Sequence, residues 1–128
     1  MLSLYLIDYN SVEESAVMGI ENISPGDQLI LFLNKSTKII TEKLAEDFSQ
    51  CKTIRGIKAV ESAENNALEL QLATYLGHFI ANHSCYKNIA IISNNKDLNS
   101  LVDYWKNKIK INVFPTVNDA IMDTKQNM

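Results

Sequence analysis

Five short apolar runs, parted by helix-patterned or turn-bearing stretches, constrain this chain more than any other feature. They are "LSLYLID" (2–8), "QLILFL" (28–33), "TIRGIKAVE" (53–61), "KNIAIIS" (87–93) and "IKINVF" (109–114). Most are near-continuous in branched and aromatic residues, the pattern of strands covered on both faces. After the second run, "NKSTKIITEKLAEDFSQ" opens with cap-type residues and spaces Ile40, Leu44, Ala45 and Phe48 for a helix. Residues 66–82 read as a long helix, and "KDLNSLVDYWKN" puts Leu98, Leu101, Val102 and Trp105 on one helical face. "TVNDAIMD" reads as a short last helix before a tail, "TKQNM", that is expected to fray. The stretch between the first two strands carries a clear turn at Pro25-Gly26. Strands alternating with helices predict an α/β fold: a three-layer α/β/α sandwich around a central parallel five-stranded sheet, with right-handed crossovers. With 128 residues, 46% of them hydrophobic, the expectation is a single domain over residues 1–128 that needs no staples.

Several function classes fall away at once. The net charge of −3 offers no global basic field for nucleic acid, so a polyanion would need a local patch. Cys51 and Cys85 stand far apart without CxxC spacing and are read as buried, reduced thiols. The opening "MLSLYLIDYN" is too short and lacks the basic start of a leader, and no run approaches a membrane span. The expected location is cytoplasmic. There is no GxGxxG, Walker loop or nucleophile elbow. His78 and His83 have no acid or cysteine at ligand spacing, so a metal site there is not expected.

One carboxylate stands out. In "NNALELQLATYLG" (65–77), Glu69 falls in line with Leu72, Ala73, Leu76 and Ile80 at steps of three and four. An acid on an apolar stripe is costly unless it sits at a rim or in a site. The expected fold supplies such a rim, because ligands of open α/β sheets bind beyond the carboxyl ends of the strands. Asp8 closes the first strand, Glu69 lies in the first turn of the helix after the third, and Ser93, Asn94 and Asn95 follow the fourth. Two acids at one rim are the minimum kit for Mg²⁺, with waters and phosphate completing the shell. Such a metal would activate water or stabilise a leaving oxygen. The plain alternative is that Asp8 pairs with backbone and Glu69 is a solvated first-turn acid.

The same residues carry a resemblance. "LIDYNSVE", "NALELQLATYLG" and "IISNNKDLNSLVDYW" resemble the motifs of the PIN-like nuclease superfamily, specifically its NYN-related bacterial branch. The likeness runs from about Leu4 to Val113 and is most specific at Asn66, Ala67, Leu68, Gln71, Leu72, Tyr75, Leu76 and Gly77. It implies a PIN-like Rossmannoid sheet with strand order 3-2-1-4-5 and an acidic pocket that binds Mg²⁺ or Mn²⁺ to cut RNA. By position it assigns Asp8 and Glu69 as catalytic residues, and Asp8, Glu69, Asn95 and Asn99 as metal ligands. Asn10, Ser11, Asn66, Ser93, Asn94, Lys96 and Asp97 would then contact substrate.

This sequence departs from the pattern in a directed way. The family's second acid falls on Asn10 and its Asn on Ser11, the late pair of acids falls on Asn95 and Asn99, and the Gly between them is replaced by Asp97. The middle Asp becomes Glu69. Each Asp-to-Asn change removes a charge on which a hard cation relies. The resemblance therefore implies a degenerate ribonuclease, weak or inactive, serving as an RNA- or protein-binding module. An active Mg/Mn-dependent endoribonuclease, in a toxin–antitoxin or phage-defence setting, stays open beside it. "SNNKDLNS" would be a recognition loop with Lys96 as its local cation, and Tyr9 could stack on a base, while Tyr5 and Tyr75 serve packing. Lys35, Lys38 and Lys43 read as a solvated helix face. Apolar residues in "SAVMGI" and "AIMD" suggest an exposed patch, and with it a homodimer or partner protein.

Overall fold

The computed structural model describes residues 2–62, 64–83 and 85–126. Its elements are β1 (Leu2–Asp8), β2 (Gln28–Asn34), α1 (Glu42–Ser49), β3 (Ile54–Val60), α2 (Ala67–Asn82), β4 (Tyr86–Ile92), α3 (Asn99–Trp105), β5 (Lys110–Phe114) and α4 (Val117–Gln126). Short 3-10 helices form at Glu14–Val17, Ile20–Asn22 and Lys96–Leu98. Every strand pairing is parallel and the order is β3-β2-β1-β4-β5. The chain leaves β1 toward β2 and β3, then returns across the sheet to β4. The switch point therefore lies between β1 and β4, where Ile7 pairs with Ile92. That pairing sets Asp8 beside Ser93, at the position where sheets of this kind bind ligands.

The alternation of strand side chains splits the apolar runs between two cores. Tyr5, Ile7, Leu29, Leu31 and Leu33 face α1, α4 and the first 3-10 turns, meeting Leu44, Val17, Ile20, Val117 and Ala120. Leu4, Leu6, Ile30, Phe32, Ile89 and Ile91 face α2 and α3, meeting Leu68, Leu72, Leu76 and Phe79. Both faces are thus covered by helices, as the near-continuous strands of β1, β2 and β4 require.

Some expectations need correction. The buried stripe of α2 is Leu68, Leu72, Leu76 and Phe79, while Ala73 and Ile80 are half-buried on the flank that also carries Glu69. The larger side chains turn toward the sheet and leave the acid at the edge of the stripe. In α1 the cap is Thr41, whose hydroxyl accepts the Leu44 N–H, so residues 35–40 are loop and Ala45 is exposed. The tail expected to fray continues α4 from Thr124 to Gln126, and its last two residues, Asn127 and Met128, lie outside the described residues. "SAVMGI" and "AIMD" are mostly core: Ala16, Val17, Ile20, Ala120 and Ile121 are buried, leaving Met18 and Met122 outside. Cys51 is buried but Cys85 is exposed. No helix is long and apolar enough to cross a membrane among the described residues.

Candidate active site

Asp8 ends β1 fully buried. Its Oδ2 accepts a hydrogen bond from Ser93 Oγ at 2.8 Å, and its Oδ1 has no hydrogen-bond partner among the described residues. Ser93 gives its proton to Asp8 and Ser11 donates to the Asp8 carbonyl at 3.2 Å, with the two hydroxyl oxygens 3.0 Å apart. The backbone N–H groups of Asn94 and Asn95 donate in turn to Ser11 Oγ and Ser93 Oγ. The Asn94 amide donates to the Ser11 carbonyl at 3.1 Å, completing a stitch between the loops that leave β1 and β4. Burial pushes the Asp8 carboxyl above the usual carboxylate range; the Ser93 and Ser11 hydrogen bonds oppose this, and the nearby Glu69 charge adds to it.

Glu69 is half-buried at the rim, facing Asp8 closely enough for its charge to be felt there. Its Oε1 accepts the Asn95 amide at 3.3 Å. Asn95 Oδ1 accepts the Asp97 N–H at 3.0 Å and caps the 3-10 helix at Lys96–Leu98. Both ends of that amide are therefore used: the oxygen on a cap, the nitrogen on a carboxylate.

The other residues picked out from sequence lie around this centre. Asn10 donates to Thr37 Oγ1 and accepts the Asn34 N–H, each at 2.8 Å, so its amide ties the β1 exit to the β2 exit. Asn66 is exposed, with φ 68, and starts α2 without a side-chain cap bond. Asn99 and Lys96 are exposed and, with Ser93, Asn94 and Asn95, line a cavity of about 230 Å³ closed by Val113, Phe114 and Pro115. Asp97 is exposed and makes its contacts through backbone atoms. The structure thus gathers Asp8, Ser11, Ser93, Asn94, Asn95 and Glu69, and sets Asn10, Asn66, Lys96, Asp97 and Asn99 to the sides.

Tyr9 cannot stack on a base as expected, because it is 1% exposed within the core. Lys38 lies over its ring, 4.9 Å from the centroid, and donates to the Val12 carbonyl. Lys35 pairs with Glu61 and Lys43 with Asp47, so these cations are engaged within the chain. His83 stacks on Phe79. Sequence reasoning missed the roles of Thr37 and Asn34, which nothing in the local pattern around Asn10 signals.

The family model described as the PIN domain matches residues 2–111. The chain belongs to the PIN domain family. No match was found among curated proteins or among solved structures. The matched span contains Asp8, Glu69 and the whole β4 exit, so the nuclease-like module of the PIN domain coincides with the hydrogen-bonded rim.

PIN domains typically use Mg²⁺ or Mn²⁺, and the rim bears on that group directly. Asp8 Oδ1, buried and without a partner, is an oxygen that a cation would satisfy. Glu69 supplies a second carboxylate. No group of three or more His, Cys, Asp or Glu is placed to hold a metal among the described residues. The donors fit a divalent ion that keeps most of its water, as Mg²⁺ does with one or two carboxylates.

Proposed function

We propose that this PIN domain is a degenerate ribonuclease, related to the NYN-type bacterial branch, that binds single-stranded RNA at the rim and cuts it weakly or not at all. The observation that carries the reading is the Asn95 amide resting on Glu69. A neutral donor there does part of the work of a cation, stabilising the carboxylate without metal. The amides at Asn10 and Asn95 are committed to protein partners, and each oxygen, neutral and already accepting one N–H, is a poorer ligand for a hard cation than the carboxylate it stands in for. Exposed Lys96, Asn94 and Asn99 beside the Phe114 wall supply the kind of cationic and amide groups that hold phosphate and base edges.

The unpartnered Asp8 Oδ1 favours a second reading, an active Mg/Mn-dependent endoribonuclease. A bound cation would then supply an activated water and charge stabilisation at phosphate. Asp8 and Glu69 would hold it, Ser93 would fix the rotamer of Asp8, and Asn95 would orient Glu69. A toxin–antitoxin or phage-defence role belongs to this second reading.

Metal titration of Asn95→Asp separates the two. The substitution removes the donor on Glu69 and adds a charge to the same rim. The degenerate reading expects a lower Tm without metal, recovered by Mn²⁺, and Mn²⁺ affinity on the order of tenfold above wild type. RNA binding by wild type, followed by fluorescence anisotropy, should be the same in EDTA and in Mn²⁺. Tight Mn²⁺ binding by wild type, left unchanged in Asn95→Asp, would overturn it.

A further inference from the structure

We propose that the free edge of β3 is a docking edge for an extended acidic segment of another protein, which adds to the sheet as a sixth strand. The inference is independent of the chemistry at the rim. β3 has a sheet neighbour on one side only, β2, so alternate backbone N–H and C=O groups on its other side face outward. Edges are usually protected by shortness or cover. The opposite edge strand, β5, has 5 residues, whereas β3 keeps the 7 residues of the central strands. Five residues of β3 are exposed: Ile54, Arg55, Ile57, Lys58 and Ala59. Two are large and apolar, Ile54 at 63% and Ile57 at 45% exposure. Leaving them in water has no folding benefit; covering them does.

Both faces beside the edge are grooved. On the α1 face, Leu31, Ile40, Leu44, Phe48 and Ile57 line an apolar cavity of about 290 Å³. On the α2 face, Phe32, Leu70 and Tyr75 line a cavity of about 470 Å³ beside Lys58. An added strand points successive side chains to opposite faces, so it would fill both grooves at once.

Charge selects the occupant. Arg55 lies over the Phe48 ring and donates to the Cys51 and Thr53 carbonyls, and Lys58 lies over the Tyr75 ring. Neither forms an ion pair with a carboxylate among the described residues, although the chain as a whole is acidic. A second copy pairing antiparallel about Ile57 would bring both cations of each chain along one seam, where the acid that follows the strand, Glu61, is already paired with Lys35. An acidic strand avoids that repulsion. Its sequence is constrained: acids opposite Arg55 and Lys58, and an apolar residue opposite Ile57.

The test uses labelled extended peptides of β-branched residues, one with glutamate at the two positions facing Arg55 and Lys58, the other with lysine there. Binding is read by fluorescence anisotropy on the full chain. Wild type should bind the glutamate peptide about tenfold more tightly than the lysine peptide at low salt, with the difference shrinking as salt rises. Arg55→Glu combined with Lys58→Glu should reverse the preference, a result that a misfolded variant cannot give. Ile57→Asp should weaken binding of the glutamate peptide while the thermal melt stays cooperative. Equal binding of the two peptides, binding of neither, or a preference that charge reversal leaves unmoved would overturn the proposal. So would a wild-type dimer in sedimentation that Ile57→Asp dissolves, since the edge would then belong to a second copy.

Discussion

Asp8 is buried, carries an oxygen without a partner, and titrates above its usual range. A carboxylate in that state costs folding energy, and the cost is accepted where function or history keeps it. Asp8→Asn should therefore stabilise the domain at pH 7 by about 1 kcal/mol, a rise of roughly 4 °C in Tm by calorimetry. A lower Tm would mean that the carboxylate is a net structural asset. At the other end of the sheet, buried Asp27 accepts the Ser3 N–H at 2.9 Å, and burial raises its carboxyl. The native state then binds this proton more tightly than the unfolded chain. Stability from this group falls as pH rises from the ordinary carboxylate value through the raised one. Asp27→Asn keeps the acceptor for Ser3 and should flatten that slope in urea melts taken over roughly three pH units upward from the ordinary carboxylate value. At this scale the sequence was legible for Asp8 and Glu69, because a strand end and a helix first turn have fixed places in an α/β sheet. It was not legible for Asn10, whose amide is claimed by Thr37 and Asn34 across a long loop. Nor was it legible for Tyr9, which the inward pleat buries directly after an acid.

At the scale of elements, all five strands and the four helices were readable, because period and length separate buried strands from amphipathic helices, while the strand order followed from the family resemblance. What failed was rotation and ends. The stripe of α2 could be drawn through Ala73 and Ile80 or through Leu68 and Phe79, and side-chain bulk against the sheet decided for the latter. The segment 10–27 was read only as a turn. It folds into two short 3-10 helices around Gly19, whose φ of 97 suits glycine and whose added Cβ would lie 2.4 Å from Asn118 Oδ1. Gly77 is the contrasting case. It sits inside α2, and a Cβ there would meet Trp105 at 3.7 Å, an ordinary contact. Gly77→Ala should raise stability by about 1 kcal/mol through helix propensity. Denaturant melts check this, and a loss would show that the Trp105 ring has no room to spare.

The whole molecule is a parallel sheet with one short edge strand, β5, and one long, exposed edge strand, β3, and with its polar chemistry gathered where the strand order reverses. Of the exposed apolar surface expected from "SAVMGI" and "AIMD", only Met18 and Met122 remain outside, and Ile54 and Ile57 add to it because a strand at the end of a sheet loses cover on its outer side. Family membership fixes the scaffold as a PIN domain, while the amides at Asn10 and Asn95 hold the protein together at positions where the resemblance puts acids. The central claim is that this rearranged rim has lost most of its cutting power and kept its grip on RNA. It is tested most directly by incubating wild type and Asp8→Asn with single-stranded RNA and Mn²⁺, following cleavage on gels and retention by anisotropy. The account predicts binding by both proteins, and cleavage that is weak or absent and does not differ between them. Robust Mn²⁺-dependent cutting by wild type, abolished in Asp8→Asn, would contradict it.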